Sequence, residues 1–168
     1  MLKKLIILLL AIAPLALIAQ ESKIAYINSQ ELFGMMPELT EIEAQLNTKQ
    51  EQIKKNATAL EAEYNSKMEE FQKSTDDVTE SILMDRQKQI QQIEERYQAF
   101  MQNSQKEVQD LQQKLLAPVQ DKLQKAIKAV GEEKAFIYIL DLASGSVAYH
   151  SPTATDANPL VKAKLGIN

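Results

Sequence analysis

The residues that could do chemistry are few and scattered. His150 is the single histidine and there is no cysteine in the 168 residues. A lone histidine with no cysteine and no second imidazole makes neither a zinc site nor a nucleophile–base pair. No glycine-rich phosphate loop, nucleophile elbow or paired-histidine metal motif occurs. Glu69-Glu70 and Asp76-Asp77 are short acidic runs that read as a solvated surface rather than a metal cage. Asn56-Ala57-Thr58 matches a glycosylation triplet but falls inside a helical pattern. The chemistry these residue types do offer is weak, adaptable apolar contact. Tyr64, Met68, Phe71, Tyr97, Phe100 and Met101 are the candidates, because methionine and aromatic side chains accommodate varied partners. The expectation is therefore a binding protein: no enzyme, no cofactor, no metal.

Those six residues belong to one long pattern, 37–130. Apolar residues recur as Leu39, Ile42, Leu46, Ile53, Ala57, Leu60, Tyr64, Met68 and Phe71. They resume as Ile90, Ile93, Tyr97, Phe100, Val108, Leu111, Leu115, Val119, Leu123, Ile127 and Val130. Steps of three, four and seven mark a helical stripe. Ser74-Thr75-Asp76-Asp77 interrupts it and offers an N-cap, so two antiparallel arms are expected with a tip near 74–81. Two registers fit. One pairs Tyr64 with Tyr97 and Phe71 with Ile90; the other pairs Tyr64 with Ile90 and Ala57 with Tyr97. The cap signal favours the second. Gln50, Lys67, Ser74 and Ser104 fall where apolar residues would complete the seam, which predicts loosely paired arms. Pro118 is expected to kink or divide the second arm, and Gly131 to close it.

Outside the arms, Ser22–Asn28 reads as a strand with Ala25 and Ile27 on one face. Asn28 caps a short helix ending at Gly34, and Pro37 suits the first turn of the next. Ala135–Leu142 is the strongest strand, apolar on both faces and so expected to be covered on both. Ser144-Gly145 turns into a second strand, Val147–His150, and Asn158-Pro159 opens a last helix closed by Gly166. Met1 to Ala19 has the pattern of a secretory signal: Lys3 and Lys4, then an apolar run, with cleavage expected after Ala19. Beyond Ala19 the chain carries 17 basic and 23 acidic residues, a net charge of −6, which makes nucleic acid and anionic membrane poor partners.

The fold class is thus α+β, mostly α: a long antiparallel, coiled-coil-like helical hairpin (37–130) on a small β body (20–36 and 131–168). About fifty residues are too few to bury a comfortable core alone, so the body is expected to pool strands with other copies. The candidates for that oligomerisation core are Ile24, Tyr26, Ile27, Phe136, Ile137, Ile139, Val147 and Tyr149.

The chain resembles the Skp/OmpH-type periplasmic chaperones. The resemblance covers nearly all of it beyond the signal. It rests on Lys23-Ile24-Ala25-Tyr26-Ile27-Asn28 with Leu32-Phe33, the Gln/Glu/Lys-rich hairpin, and Leu116-Ala117-Pro118-Val119 leading to Ala126-Ile127. Phe136–Asp141, Val147-Ala148-Tyr149 and the terminal Asp156…Val161…Leu165 stretch complete it. It implies a periplasmic homotrimer whose strands form a barrel-like body and whose hairpins, like tentacles, enclose a cavity for unfolded outer-membrane β-barrel proteins, held without ATP. Better-known members are strongly basic; this chain is acidic, and no lipopolysaccharide site is carried over. The rival expectation is a structural coiled-coil spacer or adaptor of the cell envelope.

Overall fold

The computed structural model describes residues 23–73 and 78–167. The expected signal segment lies outside the described residues, as does the part of the tip at 74–77. In order, the elements are β1 (Ile24–Ile27), α1 (Ser29–Gly34), α2 (Glu38–Lys73), α3 (Glu80–Lys134), β2 (Tyr138–Asp141), a 3₁₀ turn (Leu142–Ser144), β3 (Thr155–Asp156) and α4 (Asn158–Leu165). The chain divides into two compact units. One holds residues 36–121. The other holds residues up to 35 and from 122 onward. The boundary falls within α3.

In the helical unit, α2 and α3 run antiparallel, and the side chains that meet across them fix the register. Tyr97 meets Glu61, Arg96 meets Glu63, and Lys49 meets Glu107. This pairing lies between the two registers the stripe allows and corrects the favoured one. A stripe stepped by three and four tolerates shifts of that size, so polar partners decide. Ile42, Ile90, Ile93 and Val119 are buried. Between them the seam admits polarity: Ser104 is only 4% exposed. The helix runs unbroken through Pro118, so the proline does not divide it. What proline removes is one N–H, and the turns on either side hold.

The helix also passes through Gly131 to Lys134. Its stop is a Schellman motif: the Phe136 N–H donates to the Gly131 carbonyl at 3.0 Å, and the Ala135 N–H to the Glu132 carbonyl at 3.3 Å. Ala135 takes the left-handed turn, with φ of 54°. Gly131 is therefore not the closing residue. A Cβ built on it would lie 3.5 Å from Ile139 Cδ1, so it sits in ordinary contact with the following strand segment.

The other unit is built on a three-stranded parallel sheet, order β2-β1-β3. Ile24 pairs with Tyr138 and Ile27 with Asp141, while Ala25 pairs with Thr155. Strand alternation turns Ala25 and Ile27 inward. They join Leu32, Val130, Ala157, Val161 and Leu165 in the buried apolar set of this unit. Asn28 caps α1, its side chain accepting from the Glu31 N–H at 3.1 Å. Gly166, with φ of 74°, closes α4.

Two strand expectations are corrected. Val147–His150 forms no strand; the second neighbour of β1 is Thr155–Asp156. The reason is local. Asp141 accepts from the Ala143 N–H at 3.0 Å and its carbonyl from Ser144 Oγ at 2.6 Å. That wraps the chain into a 3₁₀ turn ending at Gly145, φ 69°, instead of a hairpin. β2 is also not covered on both faces within this chain: Tyr138 is 63% exposed and Leu140 41%.

Candidate functional site: the seam of the helical hairpin

Both arms carry the same short pattern, Glu-x-x-Tyr: Glu61 to Tyr64 on α2 and Glu94 to Tyr97 on α3. On a helix, residues three apart share a face. Because the arms are antiparallel, each tyrosine reaches the glutamate of the other arm. The Tyr97 hydroxyl donates to Glu61 Oε1 at 3.0 Å, and Glu94 stands near enough to the Tyr64 hydroxyl to act on its titration. The result is a pseudo-twofold crossing of two Tyr–Glu pairs, one of them hydrogen-bonded. Beside it Arg96 grips Glu63 with both terminal nitrogens, at 3.1 and 2.9 Å.

Both phenols shift the same way. Partial burial, and then the neighbouring Glu94, raise the Tyr64 pKa above the usual tyrosine range. For Tyr97 the bond to Glu61 is the larger cause and burial the smaller. A phenolate beside a carboxylate is unfavourable, so the proton stays on the phenol as the donor.

Around the crossing, the arms leave an open cleft of about 610 Å³ lined by Leu60, Glu61, Tyr64, Asn65 and, from α3, Ile93, Glu94, Tyr97 and Gln98. A second cleft, about 780 Å³, lies further along the same seam. Ile53, Ala57 and Val108 line it, with Met101 and the buried Ser104. The polar interruption of the stripe is where this opening sits.

Of the six residues expected to meet a partner, Tyr64 and Tyr97 come together in the first cleft. Met101, 41% exposed, borders the second. Met68, Phe71 and Phe100 are half-buried along the arms and line neither. Glu61 and Glu94 were not singled out by the stripe argument; the repeated Glu-x-x-Tyr spacing was the available signal. Met84, 66% exposed near the start of α3, also escaped it.

The residues expected in an oligomer core divide. Ile27 is 2% exposed and already spent inside its own unit. Tyr26, Phe136, Ile139 and Val147 are half-buried. Ile24, Ile137 and Tyr149 are exposed. His150 stacks at a tilt on Tyr26, ring centroids 4.5 Å apart. Among the described residues no group of three or more His, Cys, Asp or Glu is placed to hold a metal ion, and no helix is long and apolar enough to cross a membrane.

Fold and seam together define an α+β protein that presents apolar and aromatic side chains along an incompletely closed helical hairpin. The chain belongs to the OmpH-like family, whose description, outer membrane protein (OmpH-like), matches residues 23–165. Among solved structures it is similar to a candidate outer membrane chaperone (OmpH-like) from Caulobacter crescentus. The two share 21% identity and a TM-score of 0.73, over 84% of this chain and 82% of that one. No curated protein sequence matches.

Proposed function

We propose that this chain is an ATP-independent holdase chaperone of the periplasm, which binds unfolded outer-membrane proteins and keeps them from aggregating before insertion. The observation that carries the reading is the interrupted seam: two open clefts between α2 and α3, with Tyr64, Tyr97 and Met101 at their edges and a buried serine where a coiled coil would place an apolar residue. A holdase needs many weak, re-packable contacts, and a seam that is not closed on itself offers them. Membership of the OmpH-like family supports the same reading.

Export and cleavage after Ala19 complete the proposal, as does assembly into a homotrimer. The exposed side chains of β2 and its flank, Ile137, Tyr138 and Leu140, are the apolar surface such an assembly would cover. A monomeric protein gains nothing from leaving that surface in water.

The inter-arm ion pairs Arg96–Glu63 and Lys49–Glu107 favour the rival reading, a rigid spacer. They lie at the surface, with only Lys49 half-buried, and such pairs contribute little. Two experiments separate the readings. Light-scattering mass of the mature protein, alone and with a urea-unfolded β-barrel membrane protein diluted into buffer, is expected to give a trimer and then a defined soluble complex. A trimer that lets the barrel precipitate assigns the spacer role. Hydrogen exchange along the arms is expected to be fast, slowing when client binds; uniform strong protection without client assigns the spacer.

A further inference from the structure

Carboxylates that cross the seam meet two kinds of partner. Glu63 takes the Arg96 guanidinium at 2.9 Å and Glu107 takes the Lys49 ammonium at 2.6 Å. Glu61 and Glu94 meet phenols instead. Neither has a lysine or arginine partner among the described residues. A carboxylate can accept about four hydrogen bonds; Glu61 receives one from the neutral Tyr97 hydroxyl, and Glu94 stands beside the Tyr64 phenol. Both line the same open cleft, together with two tyrosine rings and the side chain of Leu60. Two uncompensated anions beside two aromatic faces attract a cation by charge and by the negative faces of the rings.

We infer that this cleft recognises an extended client segment in which a lysine or arginine stands beside an apolar residue. The cationic head lies against Tyr64 and Tyr97 and bonds to Glu61 and Glu94; the apolar neighbour covers Leu60. The seam already shows the chemistry once, since Arg96 pairs with Glu63 immediately alongside. The net negative charge of the chain adds long-range attraction of the same sign. This rests on the holdase reading and names what that site selects.

The test uses the mature full chain and two dye-labelled peptides of equal length and apolar content, one carrying arginines and the other glutamates at the same positions. Fluorescence anisotropy is expected to show the arginine peptide binding about tenfold more tightly, with the advantage shrinking as salt rises. Glu61→Gln and Glu94→Gln, singly and together, are expected to erase it, because an amide still accepts from tyrosine but carries no charge. Circular dichroism confirms that each variant keeps its helices, and the single variants serve if the double one does not. A control, Glu43→Gln with Asp110→Asn, removes the same charge elsewhere on the arms and is expected to keep the advantage. An equal loss in that control overturns the assignment to this cleft. Equal binding of both peptides by a protein that still keeps an unfolded barrel soluble overturns the inference and leaves the holdase reading standing. Failure to bind either peptide, together with failure to protect the barrel, sinks the holdase reading itself.

Discussion

Ser29 and Asp141, 112 residues apart in the chain, are joined twice: the Asp141 carboxylate accepts from the Ser29 N–H at 3.0 Å and from its hydroxyl at 2.5 Å. The same carboxylate also takes the Ala143 N–H. One side chain thus ties the start of α1 to the end of β2 and shapes the turn that follows. Burial alone would raise its pKa, but the bonds from Ser29 and Ala143 outweigh it and hold the carboxyl below its usual range.

A folded-state pKa below the unfolded one means stability that is present above the unfolded value and lost as pH falls through the folded one. Stability is therefore expected to decline as pH drops below about 4, with Asp141 contributing to the slope. Asp141→Ala is expected to cost about 1–2 kcal/mol at pH 7 and to flatten that decline. Urea titrations at pH 7 and in the acid range, on both proteins, measure it.

The two phenols behave in the opposite sense. Their pKa values are raised, so the stability they confer is present below the unfolded value, about 10, and is lost as pH rises through the folded one. Tyrosinate absorbance is expected to titrate late. Helix pairing is expected to loosen with it, seen as faster amide exchange near residues 61–64 and 94–97. Tyr64→Phe with Tyr97→Phe removes the alkaline step; a step that survives in that variant refutes the crossing as its source.

Ala135 closes α3 in a left-handed conformation that an alanine adopts at a cost of about 1–2 kcal/mol. Ala135→Gly is expected to recover roughly 1 kcal/mol, the remainder being offset by the greater freedom of glycine in the unfolded chain. A thermal melt rising by a few degrees checks it. Gly131→Ala is expected to add up to about 1 kcal/mol of helix propensity, because the new methyl meets Ile139 at ordinary contact distance.

Ser104 is the buried polar break in the seam. Ser104→Leu has a cleft beside it to fill, and is expected to bring the arms together. Helix exchange should slow, and protection of an unfolded barrel should weaken by severalfold. Unchanged protection with slowed exchange would mean that client capture does not depend on the seam opening.

The helical stripe made α2 and α3 legible, since period and cap signals are local properties of the chain. Asn28, Pro159 and Gly166 likewise announced their caps. What was not legible depended on partners far away in sequence. The register hung on Glu61, Glu63 and Glu107, which read as ordinary surface charges until the opposite arm is placed. Gly131 looked like a helix stop because glycine favours that turn, yet Ala135 occupies it, fixed by the bonds that follow. Val147–His150 alternates like a strand, but Asp141 turns the chain before a hairpin can form. The six candidates for client contact shared one pattern and parted in space: Tyr64 and Tyr97 reach the first opening, Met101 the second, and Met68, Phe71 and Phe100 neither.

The parallel sheet carries a consequence for the order in which the molecule is made. Ile24 needs Tyr138, and Ala25 needs Thr155. The central strand emerges first from any synthetic or export machinery and must wait, unpaired, for almost the whole chain to follow. The helices between them nucleate from neighbours in sequence and are free to form at once, whereas distant pairings are slow. The first strand to appear is thus among the last segments to find its place; a chain stopped before Thr155 leaves it one neighbour, and a chain stopped before Tyr138 leaves it none.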